Sequence, residues 1–116
     1  MQCTVSWLPD TGMAFAAETG SGHIITMDGA LDGGGRNLAP RPMETVLAGT
    51  GGCTAYDVVL ILKRGRHQVS GCSVKLTAER AETDPKVFTR LHMHFVVRGR
   101  DLKDEVVARA VALSHE

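Results

Sequence analysis

Apolar residues recur along this chain with two different periods, and each change of period marks an expected change of element. Cys3, Val5 and Trp7 alternate with Thr4 and Ser6, the two-residue repeat of a half-buried strand. Pro9-Asp10-Thr11-Gly12 follows, turn chemistry in which proline presets φ and glycine tolerates a positive one. Met13, Phe15 and Ala17 alternate again, and Gly20-Ser21-Gly22 leads into a third short strand over His23–Met27. Together these segments predict an antiparallel meander. Residues 28–42 then hold Gly29, Gly33, Gly34, Gly35, Pro40 and Pro42, the composition of a long surface loop, and loops of that length are often functional or mobile.

The period then lengthens. Pro42 suits a first helical turn, and the spacing predicts a helix from about Met43 to Arg64, with Lys63, Arg64 and Arg66 at its negative end. After Gly71 the alternation returns as Cys72, Val74, Leu76 and Ala78 against Ser73, Lys75, Thr77 and Glu79. Thr83-Asp84-Pro85 makes a turn. The partner strand places Val87, Leu91, Met93, Phe95 and Val97 on one face and Arg90, His92, His94 and Arg98 on the other, and Gly99 ends it. Residues 101–116 read as an amphipathic helix with Val106, Val107, Ala110, Val111 and Leu113 inward. No glycine or proline stops that helix before Glu116, so the expectation is one domain over residues 1–116 that lacks its C-terminal end.

Composition narrows the function classes. Thirteen Lys and Arg balance thirteen Asp and Glu, for a formal net charge of +0. Long-range attraction to nucleic acid or an anionic membrane is therefore not expected, whereas self-association is easy to accept. Aromatic residues make up only 4%, too few for a base-stacking platform. Cys3, Cys53 and Cys72 show no CxxC spacing, which fits a reducing cytoplasm better than a disulfide framework. The N-terminus has no basic patch followed by an apolar stretch, so no signal peptide is expected. Residues 43–62 are long enough to raise the question of a membrane span. Glu44, Asp57 and three glycines within them favour a helix buried in protein.

The segment "LAGTGGCTAYDVVLIL" concentrates the candidate chemistry. A phosphate-binding P-loop needs Lys followed by Ser or Thr after its last glycine, and Cys53-Thr54 stands there. A dinucleotide fingerprint starting at Gly49 needs glycine where Thr54 stands, so neither motif is met. The glycines then mark either a close backbone approach, most naturally helix on helix, or a helix that starts later. Cys53 reads either as a small buried hydrophobe or as a thiol with open space beside it. Glu44 and Asp57 are acids in an apolar helix and need partners, which Arg36 and Arg41 are placed to supply. A thiol flanked by arginine has a lowered pKa, and the thiolate is its reactive form. Cys3 and Cys72 fall on apolar strand faces and read as core. His92 and His94 share a face, but two ligands without a third fit a solvated face better than a metal site. His23, among glycines, is a candidate with no nameable partner.

The stretches "GSGHIITMDG", "RPMETVLAGTGGCTAYDVVLIL" and "AERAETDPKVFTRLHMHFVVRG" resemble the OsmC/Ohr family of osmotically inducible and organic-hydroperoxide-resistance proteins, and most of all its YhfA-type branch. The resemblance spans nearly the whole chain. It implies an α+β, OsmC-like fold with antiparallel sheets outside, a long buried central helix, and two chains intertwined as a homodimer. It also implies a cytoplasmic thiol-dependent peroxidase that needs no cofactor or metal. Cys53 matches the cysteine that attacks the peroxide, with Arg41 or Arg36 stabilising the thiolate, Glu44 orienting the arginine, and an external dithiol as reductant. The chain departs from the family pattern at three points. Met43 holds the usual register of the family's glutamate, no arginine precedes Arg36, and the resolving cysteine is expected beyond Glu116. Those departures keep a rival open: a non-catalytic dimer that binds a small apolar or thiol-containing ligand in the inter-subunit cleft.

Overall fold

The computed structural model describes residues 1–115. Its elements run β1 (Cys3–Trp7), β2 (Phe15–Thr19), β3 (Ile24–Met27), α1 (Pro42–Arg64), β4 (Gln68–Arg80), β5 (Phe88–Arg100) and α2 (Asp104–Ser114), with short 3-10 turns at Pro9–Thr11 and Leu31–Gly33. Two compact units emerge, Met1–Val46 and Leu47–Glu116. This is the mixed helix-and-antiparallel-sheet class that the two periods predict.

In the first unit β1, β2 and β3 form the expected antiparallel meander, with Val5 opposite Ala17 and Ala17 opposite Ile25. Ala17 is buried, while Val5 and Trp7 remain about half exposed. Cys3 is exposed rather than core, because it begins an edge strand whose five residues are all open to solvent in the single chain. The Trp7 indole nitrogen donates to the Gly12 carbonyl at 2.7 Å, which fixes the turn between β1 and β2. Gly12 has φ +88°, and a Cβ there would stand 2.8 Å from the Gly34 carbonyl oxygen. The Arg36 guanidinium donates to the Asp10 carbonyl at 3.2 Å, so the long loop is tied back to this turn.

In the second unit β4 and β5 make a long antiparallel hairpin, and the predicted alternation holds. Cys72, Val74, Leu76 and Ala78 are half-buried, as are Met93, Phe95 and Val97. Three boundaries differ from the sequence expectation. β4 starts at Gln68 and runs through Gly71 over a bulge that leaves Ser70 without an opposite residue. The extra residue turns Val69 to the same face as Cys72 despite their odd spacing. Gly99 pairs with Val69 inside β5 instead of ending it. Val87 lies in the turn and is exposed, so Phe88 takes the inward position.

The core of this unit is Val58 and Leu62 on α1 with Ala110 on α2, and Val69, Phe95, Val97, Val106 and Val111 pack around them. α2 begins at Asp104 rather than at residue 101, because Asp101 sits at φ +56°, outside helical space. Leu113, expected inward, is 39% exposed. The expected continuation to Glu116 lies outside the described residues. Truncating Leu62, which is 1% exposed, should destabilise the protein by about 2–5 kcal/mol. Truncating Leu38, which is 79% exposed, should stay within about 0.5 kcal/mol. Denaturant midpoints of the two alanine variants check this.

Candidate functional site

The chemistry gathers on α1 and at its start. Pro42 occupies the first helical position, as its missing N–H favours. Glu44, two residues further, turns its Oε1 back to accept the Arg41 backbone N–H at 2.9 Å. That is half of a capping box, in which a third-position glutamate satisfies a donor the helix leaves free. The same carboxylate faces the Arg41 guanidinium at 3.6 Å. The backbone hydrogen bond from Arg41 holds the Glu44 carboxyl below its ordinary value, helped by the Arg41 charge. The sequence-level pairing of Arg41 with Glu44 is therefore present, with a structural role for Glu44 that spacing did not reveal.

Asp28 is the residue that sequence reasoning missed. Read only as the start of a glycine-rich loop, it is 3% exposed and anchors that loop. Its carboxylate accepts the backbone N–H of Gly29 at 2.7 Å, of Leu38 at 3.3 Å and of Arg36 at 3.4 Å. Its own N–H donates to the Pro40 carbonyl at 2.9 Å. The Gly29 hydrogen bond is the main cause that holds its carboxyl below the ordinary value. The signal available in sequence was an aspartate followed by glycine at a loop entrance, a residue that bonds nearby backbone.

Cys53 lies on α1 in the second unit and is exposed. Nine residues of α-helix make about two and a half turns, so Glu44 and Cys53 project from opposite sides of α1. The acid one turn from Cys53 is Asp57, half-buried and without an ion pair among the described residues. Arg36 is directed to Asp10 and Arg41 to Glu44. Of the three glycines before Cys53, Gly51 is buried and its Cα faces the Leu76 side chain, where a Cβ would collide. At Gly51 the close approach comes from a strand leucine. Gly49 and Gly52 face open space.

A cavity of about 420 Å³ runs along α1 from Gly52, the residue before Cys53, past Ala55, Val59 and Leu60 to Lys63, with Cys72 of β4 in its wall. Burial pushes the Cys72 thiol up from its ordinary value, which keeps it protonated and suits its reading as a packing residue. In the first unit the His23 ring nitrogen Nδ1 lies 3.1 Å from the Ser21 hydroxyl, which in turn lies 3.0 Å from that of Thr19. His92 and His94 are exposed opposite Thr77 and Lys75, and a lysine across from His94 opposes a bound cation. Among the described residues no three metal-ligating side chains gather.

Comparison with known proteins places this geometry in context. The sequence profile described as OsmC-like protein matches residues 33–116. The chain is 53% identical to Protein YhfA of Escherichia coli K12 over 116 residues, all of this chain and 82% of the relative. A hypothetical protein from Aquifex aeolicus superposes with a TM-score of 0.80 at 27% identity, over 99% of this chain and 78% of that one. An organic hydroperoxide resistance protein OsmC from Legionella pneumophila shares the fold alone, with a TM-score of 0.65 at 16% identity over 99% and 82% of the two chains.

Asp28 and Glu44 both titrate below their ordinary values of 3.8 and 4.5. The unfolded chain thus binds their protons first as pH falls, and the stability they contribute is present above those ordinary values and lost below them. Thermal unfolding midpoints should therefore drop between about pH 5 and pH 3. Asp28→Asn should lower the midpoint at neutral pH and flatten that acid limb, since part of the titrating contribution is gone.

Proposed function

The chain belongs to the OsmC-like protein family, and from that premise we propose that it is a cytoplasmic, homodimeric thiol peroxidase that reduces organic hydroperoxides. The observation that supports this reading is Cys53, an exposed thiol on the long apolar helix α1 next to Gly52, which lines an apolar cavity. Its thiolate attacks the terminal peroxide oxygen. The S–O bond forms as the O–O bond breaks, sulfur is oxidised to the sulfenic acid, and the departing alkoxide takes a proton to leave as the alcohol. A second thiol attacks the sulfenic sulfur, releasing water and forming a disulfide that an external dithiol reduces.

A free thiol is only a few per cent ionised near neutrality, so the reaction needs a cation beside it. Arg41, oriented by Glu44, is our candidate, with Arg36 second. Because Glu44 and Cys53 project from opposite sides of α1, the guanidinium that serves a given thiol comes from the other copy. Uncovered apolar surface supports the dimer. α1 is long and apolar enough to cross a membrane by length and composition, yet only 17% of that stretch is buried by its own chain. Val46 and Tyr56 on α1, with Val5, Trp7 and Ile25 in the first unit, also stand open, and apolar surface of that extent calls for a partner. A second copy fits better than lipid, since Glu44 and Asp57 lie within the helix.

The displaced glutamate register favours the second reading, a dimer that binds a small apolar or thiol-containing ligand without turning it over. Two measurements separate them. Cys53→Ser should reduce hydroperoxide consumption to the uncatalysed rate, and Arg41→Ala should cost about 10²–10³-fold, as for loss of one charge-stabilising donor. An unchanged rate in Cys53→Ser sinks the peroxidase. A thiol probe near pH 6, read out by peptide mass, should modify Cys53 well before Cys3 and Cys72. Uniform slow modification of all three supports the binder.

A further inference from the structure

We propose that the outer face of the β4–β5 hairpin binds the phosphate backbone of a single-stranded nucleic acid without regard to base sequence. The formal net charge of +0 hides a division between the units. Eleven of the thirteen Lys and Arg fall within residues 47–116, against eight of the thirteen Asp and Glu. The second unit is thus formally three charges positive. Along β5 the alternate positions from 90 to 100 are Arg90, His92, His94, Val96, Arg98 and Arg100, and all are exposed. Alternate residues of a strand share a face, and Phe95 and Val97 on the other face pack against the core. Lys75 stands opposite His94, while Glu79, opposite Arg90, is the one carboxylate among the paired residues of this face. Among the described residues none of these cations makes an ion pair. A Cβ at Gly71 would lie 3.7 Å from the Arg98 Cβ, so the Arg98 stem rests on the glycine opposite it.

Unopposed cations at a fixed pitch suit a polyanion. Alternate strand residues stand about 6.6 Å apart, roughly twice the ~3.4 Å that a stacked nucleotide strand advances per phosphate. A row of ~33 Å from Arg90 to Arg100 then meets every second phosphate over about ten nucleotides. The arginines offer forked donors and the histidines a ring N–H, both suited to phosphate oxygens. The row is one strand wide, which follows one phosphate chain rather than the two of a duplex. No Phe, Tyr or Trp lies on this face, so bases are not stacked on it and their sequence is not read. An anionic membrane fits less well, because Val96 is the one apolar side chain in the row to enter it. The surface shares no residue with the groove from Gly52 to Lys63, and the inference stands apart from the peroxidase reading.

Fluorescence anisotropy of a labelled twelve-nucleotide oligothymidylate, titrated with the full chain at rising salt, tests the proposal. Binding should be weak, with a Kd above about 1 μM at physiological salt. The logarithm of the association constant should fall against that of salt with a slope of about −3, as for four phosphates on Lys75, Arg90, Arg98 and Arg100. Oligoadenylate of the same length should bind within a few-fold. The double variant Arg90→Ala, Arg98→Ala should weaken binding about tenfold at low salt and flatten the slope by about 1.4. Thr77→Glu, which puts a second carboxylate on the face, should weaken binding with every cation retained. Arg109→Ala removes an exposed charge from α2 and should leave the affinity nearly unchanged. Unaltered thermal midpoints show that the variants fold. Absence of binding at low salt overturns the proposal, as does an equal loss in Arg109→Ala and the double variant. Tighter binding of the matching duplex, of polyglutamate or of phosphatidylglycerol vesicles also overturns it.

Discussion

The contact between Gly51 of α1 and Leu76 of β4 sets how closely the long helix can lie on its hairpin. A side chain at Gly51 would collide with the leucine, and a helix held further off would lose the packing of Val58 and Leu62 over the hairpin. Gly51, Thr54, Val58 and Leu62 form one buried stripe along α1, the spacing that keeps residues on a single helical face. Thr54 tolerates burial because its hydroxyl donates to the Thr50 carbonyl at 2.9 Å. Everything else on the helix follows from that seat. With the stripe turned inward, Cys53 faces away from the sheet, and the groove from Gly52 to Lys63 opens along the flank.

Local hydrogen bonds prepare the first unit in a different way. Its glycine-rich loop has little apolar material to bury, so order comes from a carboxylate instead. Asp28 collects backbone donors from residues up to ten positions away, an arrangement in which one ionised group satisfies several amides that burial would otherwise leave unpaired. Glu44 performs a smaller version of the same task at the start of α1. In each case a charged side chain orders the backbone around it, and the acid limb of stability follows from it.

Cys53 is open, and the acid one turn along the helix from it is Asp57. Under the proposed reading, the dimer supplies the activating cation by lending Arg41 from the other copy. Under that reading, the same uncovered helix that raises the question of a membrane is the surface on which the reactive site is completed.

Much of the fold was legible in the pattern. Alternation marked all five strands, because a strand with one covered face must repeat every two residues. Proline at position 42 and the basic residues at 63 and 64 bracketed α1, because helix ends impose local demands. The bulge at Ser70, the start of α2 after Asp101, and Phe88 in place of Val87 were not legible, since each depends on which residue the opposite strand or the chain geometry presents. For the site, the sequence by itself determined that Cys53 stands among small residues on an apolar helix and that Arg41 and Glu44 lie within reach of each other. Only the tertiary structure decided that Cys53 is open, that Gly51 meets a strand leucine, that Asp28 anchors the loop and that Lys63 lines a groove with Gly52 and Cys72. The reason is physical. Periodicity reports which face of an element is apolar, whereas exposure, collision and charge pairing depend on what a distant part of the chain places against that face.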